Sequence, residues 1–162
     1  MDKSVDLELA KKYNQLTWSL IEKDARDSED DLLMISYAHT SLAHWIAAGT
    51  IVHKVRGYWL LSRVYCLVGD ARNALLYAKL CEQLTSANKS EMADFDLAYA
   101  AECLARAYAM AGEVDNANGF LAKADMLGGL IADPEDRDYY QKDRSSEPWF
   151  GLIKSKNKFC NG

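Results

Sequence analysis

The chain has 162 residues, of which 49% are hydrophobic, and it contains only 2 prolines and 9 glycines. This composition is that of one globular, helix-rich domain that buries its own core, and it excludes a disordered or fibrous protein. The formal net charge of -5 excludes general binding to nucleic acids, because such binding depends on many lysine and arginine contacts to phosphate.

Apolar residues recur at helical spacing along most of the chain, first at Leu9, Tyr13 and Leu16, and no segment alternates with the period of two that a half-buried strand requires. Ser28 and Thr50 are predicted N-caps, and glycines mark most helix ends. The predicted helices cover residues 5–26, 28–49, 50–68, 71–85, 90–112 and 114–127, followed by a polar helix that begins at Pro134. The predicted fold class is therefore all-α, with six main helices and a C-terminal capping segment in one domain, 1–162.

The four cysteines, Cys66, Cys81, Cys103 and Cys160, form no C-x-x-C pair and have no histidine at metal-ligand spacing. We expect free thiols, no metal site and no cofactor. The first residues, MDKSVDLELAKKY, are charged and lack the apolar core of a signal peptide, and no run of about 18 apolar residues follows. These features predict a cytoplasmic protein that does not span a membrane.

Two passages of the sequence repeat each other without a gap when Gly69 is aligned with Gly112, 43 residues later. The alignment superposes identical residues in both helices of each unit: Leu61 on Leu104, Arg63 on Arg106, Tyr65 on Tyr108, Asn73 on Asn116 and Ala74 on Ala117. Each unit, about 55–86 and 98–129, is a helix, a glycine turn and a second helix. Neither unit alone can bury its apolar faces, so the pattern predicts that the units stack.

This repeat resembles the tetratricopeptide (TPR) pattern W-x2-L-G-x2-Y followed by A-x3-F, in which a small residue lets two antiparallel helices approach. It departs from that pattern because a TPR unit spans about 34 residues and carries an aromatic residue where this chain has Ala78 and Leu121. The stretches LAHWIAAGT, RGYWLLSRVY, DFDLAYA and ADPEDRDYY also resemble a group of uncharacterised bacterial TPR-like proteins. The resemblance implies a short solenoid of helix pairs, and it implies no activity.

The TPR resemblance further implies which side chains line a concave groove, namely those at the second, fifth, ninth and twelfth positions of each unit. The candidates are Arg56, Trp59, Arg63 and Cys66 from the first unit and Tyr99, Glu102, Arg106 and Ala109 from the second. Arginine binds carboxylates with two parallel hydrogen bonds, and aromatic faces add contact area at little entropic cost. The alternative is that Arg63 and Arg106 pair with Glu102 and with neighbouring residues between stacked helices.

Candidate catalytic groups do not form a recognisable site. His39 and His44 are five residues apart on one helix and point in different directions, so they cannot share a metal. His39 is typical of the edge of a core, and His53 of an exposed helix start. The acidic residues of 134–143 alternate with basic ones, which is typical of a solvated helix. No nucleophile elbow, phosphate-binding loop or zinc motif occurs, and we expect no enzymatic activity.

The C-terminal stretch SSEPWFGLIK is too apolar to remain in solvent. We expect residues 134–154 to form a cap in which Trp149 and Phe150 cover the fifth and sixth helices, with the end KSKNKFCNG loose. In the alternative, this stretch fills the groove of its own chain or of a neighbour, with Asp143 and Glu147 meeting the groove arginines.

These features favour a non-catalytic protein-interaction module that binds a peptide segment or partner protein, of acidic character, through an arginine and aromatic groove. One alternative is a structural domain that forms homo-oligomers such as a homodimer. Another is a small-ligand binder or an enzyme with an unrecognised pocket. Neither the partner nor the pathway can be read from these residues.

Overall fold

The computed structural model describes residues 2–153. Within this range the chain forms seven α-helices and one 3-10 turn, with no β-strand. The helices are α1 (Lys3–Ile21), α2 (Ser28–Ala48), α3 (Ile51–Val68), α4 (Ala71–Ala87), α5 (Asp94–Met110), α6 (Val114–Gly129) and α7 (Pro134–Ser145). The all-α class predicted from the sequence is confirmed. The predictions for Cys160 and for the loose end concern residues outside this range.

The first helix is shorter than predicted and ends at Ile21 instead of Arg26. The Arg26 side chain turns back, and its Nη1 donates to the Ile21 carbonyl at 3.3 Å, so it covers one of the free carbonyls at the end of α1. The N-cap of α2 is Asp27, not Ser28: the Asp27 carboxylate accepts from the Asp30 N–H at 2.8 Å, and the Asp30 carboxylate accepts from the Asp27 N–H at 3.1 Å. A reciprocal capping box therefore starts the helix.

The fifth helix begins at Asp94 rather than at Ser90 or Glu91, because the residues before it form the 3-10 turn. The Asp96 carboxylate accepts a hydrogen bond from the Ala93 N–H at 3.0 Å and thereby caps the first turn. The bounds of α2, α3, α4 and α6 agree with the predicted ones to within two residues.

The two repeat glycines end α3 and α5 in the same way. Gly69 and Gly112 have φ angles of 85° and 76°, the left-handed conformation that glycine adopts without strain. The N–H of the next residue then bonds back to the carbonyl of the repeat tyrosine, from Asp70 to Tyr65 and from Glu113 to Tyr108, at 3.0 Å in both cases. This bond pattern is that of a Schellman turn. The sequence repeat therefore corresponds to a repeat in local structure.

Each helix packs against the next in chain order, α3 also contacts α5, and α7 packs on α5 and α6. The short links make successive helices antiparallel neighbours. Leu61 and Leu104 are buried in the main core, and Tyr65 is buried beside them. Tyr108 is only half-buried, where its ring stacks on Phe120 at 5.8 Å between centroids. The contact between α3 and α5 places the first helices of the two repeat units side by side.

One buried aromatic residue packs the polar helix α7 against α6. Tyr140 is fully buried, and its hydroxyl donates to the Ala124 carbonyl of α6 at 3.0 Å. Its ring lies over Gly128, where a Cβ atom would collide with ring carbons. Gly128 is therefore needed for this close approach of α7 to α6.

None of the helices among residues 2–153 combines the length and the apolar character needed to cross a membrane.

Two glycines of α6 allow a matched test of this packing. Gly128→Ala should destabilise the protein by about 1–3 kcal/mol, because the new methyl group displaces Tyr140. Gly119→Ala, on the same helix, meets no atom within 4 Å and should stabilise by about 0.5–1 kcal/mol through helix propensity. Urea unfolding of both variants measures the two changes. Equal effects of the same sign would show that α7 is not held at Gly128.

Candidate functional site

The eight predicted groove residues lie on α3 and α5, which face the same side of the molecule as α1. We call the surface formed by these three helices the inner face. Trp59 and Tyr99 meet across it with ring centroids 5.3 Å apart. The inner face has two parts, an aromatic pocket around Trp59 and an arginine cluster around Arg106.

The aromatic pocket is an open cavity of about 230 Å³ between α1, α3, α4 and α5. Four aromatic rings form much of its wall, with small or aliphatic residues between them. The lining residues are Asn14, Trp18, Val55, Arg56, Trp59, Leu60, Cys81, Phe95, Asp96, Tyr99 and Ala100. Trp18 stacks on Trp59 at 6.0 Å, whereas Phe95 meets Tyr99 nearly at right angles.

Arg56 is already paired with a carboxylate of its own chain, a contact that the sequence did not predict. Its Nε and Nη2 donate to the two carboxylate oxygens of Asp96 at 2.9 and 3.0 Å. Asp96 is buried, and the guanidinium also lies over the Phe95 ring at 5.0 Å from its centroid. Two parallel hydrogen bonds to a buried carboxylate fix this arginine as part of the pocket wall.

Trp59 carries a buried polar group with no partner in the described part of the chain. Its Nε1 is enclosed and donates no hydrogen bond. Leaving a buried donor unpaired costs about 1–3 kcal/mol. The indole N–H of Trp59 thus has no acceptor among residues 2–153 and is closed off from solvent.

Arg106 forms the centre of the second part, and it is buried together with Glu102. Its Nε donates to Glu102 Oε1 at 2.7 Å, and Nη2 donates to the same oxygen. Nη1 donates to the carbonyls of Ser146 and Pro148 at 2.9 and 2.8 Å, and Nη2 also donates to the Asp143 carbonyl at 3.2 Å. All five N–H groups of the guanidinium thus have acceptors. The open alternative from the sequence, pairing of Arg106 with Glu102, is what the structure contains.

Trp149 lies against this cluster and is 1% exposed. The guanidinium of Arg106 stacks over its ring at 4.1 Å from the centroid, and that of Arg144 lies at 5.1 Å. Its indole Nε1 donates to the Arg144 carbonyl at 3.0 Å. The ring of Trp149 is therefore enclosed, and its N–H has an acceptor.

Arg63, on α3, also contacts the residues between α7 and Trp149. Its Nη2 donates to Ser146 Oγ at 3.1 Å and to the Glu147 carbonyl at 3.4 Å. Burial, together with the nearby charge of Arg106, lowers the pKa of Arg63, but a guanidinium remains protonated in proteins. Both repeat arginines thus contact one short piece of chain.

The segment that the arginines hold is residues 143–149, here called the C-terminal segment. The arginines meet its main-chain carbonyls and one serine hydroxyl, not the carboxylates of Asp143 and Glu147. Trp149 is buried against Arg106 of α5, but Phe150 is 39% exposed, so only the first of the two rings predicted to cover α5 and α6 is enclosed. The physical reason is that buried Arg106 needs acceptors, which carbonyls in the last turn of α7 and just after it supply.

Tyr99 joins the two parts of the inner face. Its ring lines the aromatic pocket, and its hydroxyl donates to Asp143 Oδ2 at 2.6 Å. Burial and this carboxylate raise the pKa of Tyr99 well above its usual range. The hydroxyl therefore stays protonated and keeps donating to the C-terminal segment.

Two further groove candidates do not reach the surface, since Cys66 and Ala109 are buried. Burial raises the pKa of Cys66 to about 12, so this thiol is not a nucleophile at neutral pH. In contrast, Asn14, Trp18 and Phe95 line the pocket although the repeat did not predict them. They lie on α1, or ahead of the aligned residues of α5, where the repeat alignment carries no information.

The three histidines occupy separate places. His39 Nε2 is 2.9 Å from the Tyr65 hydroxyl at the core edge, and burial lowers its pKa. His44 Nδ1 is 2.7 Å from Asp6 Oδ1. His53 accepts from the Thr50 N–H at 3.0 Å and stacks on Trp45, so it is a half-buried part of the helix cap rather than an exposed residue.

Comparison with known proteins finds no matching family model, no matching curated protein and no matching solved structure. Functional inference for this chain therefore depends on the repeat and on the geometry of the inner face.

The neighbours Trp149 and Phe150 test how the C-terminal segment is held. Trp149→Ala should cost about 3–5 kcal/mol of unfolding free energy, because it removes a buried ring from Arg106 and leaves a cavity. Phe150→Ala should cost less than about 1 kcal/mol, because that ring is partly in solvent. Chemical denaturation compares the two variants. Similar losses would contradict the described placement and would restore a cap made by both rings.

Proposed function

We propose that this chain is a non-catalytic, TPR-like protein-interaction module that binds a segment of a partner protein on its inner face. The proposal combines the sequence repeat with antiparallel helix pairs whose first helices lie side by side. In TPR-like arrangements, this is the surface that receives a peptide.

The observation that carries the proposal is the way in which the inner face holds the C-terminal segment. Two repeat arginines donate to four main-chain carbonyls, of Asp143, Ser146, Glu147 and Pro148, and an aromatic side chain inserts beside them. Main-chain hydrogen bonds supply affinity without reading sequence, while pockets for side chains supply selectivity. The same chemistry suits a segment from another protein.

The aromatic pocket extends this surface beyond the part that the C-terminal segment covers. Its wall includes predicted groove residues from both repeat units, Arg56, Trp59 and Tyr99. Apolar, aromatic-lined pockets with one or two polar groups are typical of places where interaction energy concentrates.

Charge pairing changes the partner that we expect. Arg56 is neutralised by Asp96, and Arg106 by Glu102, so among residues 2–153 only Arg63 of the three arginines has no carboxylate paired with it. The proposed partner is therefore a protein segment recognised by its backbone and by one inserted side chain, and a strongly acidic character is not required.

Selection from a random peptide library on the immobilised protein tests this function, with two variants of α1 as probes. Asn14 lines the aromatic pocket, whereas Gln15 is exposed beside it. Asn14→Trp should obstruct the pocket and weaken the selected peptides by at least about tenfold, and Gln15→Trp should leave their affinity within about twofold. Isothermal titration with selected peptides gives both values.

Matching circular dichroism spectra and melting temperatures of the two variants would show that both remain folded. Selected peptides that bind the wild type and Asn14→Trp equally would contradict the proposed surface, as would failure to select any peptide.

A further inference from the structure

The aromatic pocket has the size and chemistry of a receptor for one side chain. We propose that it binds a single uncharged aromatic side chain of the partner segment. This inference rests on the proposed function and names the residue class by which the partner is recognised.

The size of the pocket excludes a large ligand. Its volume of about 230 Å³ lies below the roughly 300–1,000 Å³ of pockets that enclose drug-sized molecules. One large side chain fills such a space, and the rest of the ligand then lies outside, along the inner face.

The orientation of the rings favours an aromatic occupant. Trp59 and Phe95 each meet Tyr99 at a steep angle, 75° and 84° between ring planes, while Trp18 and Trp59 are inclined by 25°. An entering ring therefore meets both faces and edges of its neighbours, the two arrangements that aromatic pairs prefer.

The polar groups of the pocket favour an uncharged occupant. An aromatic cage can also bind an ammonium group, but Asp96, the one carboxylate among the described lining residues, is paired with Arg56 through two hydrogen bonds. The charge of Arg56 is balanced by the same ion pair, so a ligand carboxylate would have to compete with Asp96. An uncharged side chain leaves this pair intact.

The C-terminal segment provides continuity and a precedent for this mode of binding. Tyr99 belongs to the pocket wall and is hydrogen-bonded to Asp143, so the pocket adjoins the site where the segment lies. In that site Trp149 is inserted as a single aromatic residue. Just ahead of it, Arg63 binds the main-chain carbonyl of Glu147 and Arg106 binds that of Ser146. A partner segment running alongside would place its own aromatic residue in the adjoining pocket.

Nuclear magnetic resonance of the indole N–H groups tests the inference directly. The chain has 4 tryptophans, and single Trp→Phe variants assign their four signals. N-acetyl-tryptophanamide should shift the Trp59 signal in a saturable manner, because an aromatic ring bound against the Trp59 indole changes the magnetic field at its N–H, and should leave the Trp45 signal unchanged. Asn14→Trp should reduce the affinity for this probe by at least about tenfold, and Gln15→Trp should preserve it.

Two charged probes complete the experiment, the amides of N-acetyl-trimethyllysine and of N-acetyl-glutamate. Saturable shifts with either one at concentrations where N-acetyl-tryptophanamide gives none would overturn the inference. So would a Trp59 signal that no probe moves. If library-selected peptides still bind in a manner sensitive to Asn14→Trp, the proposed function survives and only the aromatic specificity fails.

Discussion

The structure of the inner face depends on one buried guanidinium. Arg106 is 2% exposed and lies beside the equally buried Glu102. A buried ion pair is tolerated only when every remaining donor and lone pair is satisfied, because desolvation otherwise exceeds the Coulombic gain. Glu102 satisfies two of the five N–H groups, and the other three need acceptors from outside α5. The last turn of α7 and the backbone just after it supply them, and this requirement brings the C-terminal segment onto the inner face.

The position of that segment in turn divides the inner face. One part is covered by main-chain carbonyls and by Trp149, and the other remains an open pocket. Tyr99 belongs to both, since its ring touches the pocket and its hydroxyl holds Asp143. A displacement of this ring would therefore change both the shape of the pocket and the hydrogen bond to Asp143. The open part has an apolar, aromatic lining, and it is the part that the proposed function assigns to a partner.

Local features of the sequence predicted the fold well, and contacts between distant residues were harder to predict. Gly69 and Gly112 mark the helix ends because a left-handed turn favours glycine, and the burial of Leu61 and Leu104 follows from helical periodicity. The repeat also placed Arg63 and Arg106 on one face. It could not predict that their acceptors would include carbonyls between 37 and 84 residues away, or that Asp96 would neutralise Arg56. Trp18 was missed because α1 has no counterpart in the repeat.

A double-mutant cycle between Arg106 and Trp149 tests the central claim most directly. Arg106→Lys keeps a positive charge beside Glu102 but loses the planar fork and the stacking surface, and Trp149→Leu removes the ring without leaving a large cavity. If Arg106 holds the C-terminal segment through this contact, unfolding free energies of the two single variants and the double variant should give a coupling energy of about 1–2 kcal/mol. Additivity within about 0.5 kcal/mol would contradict it.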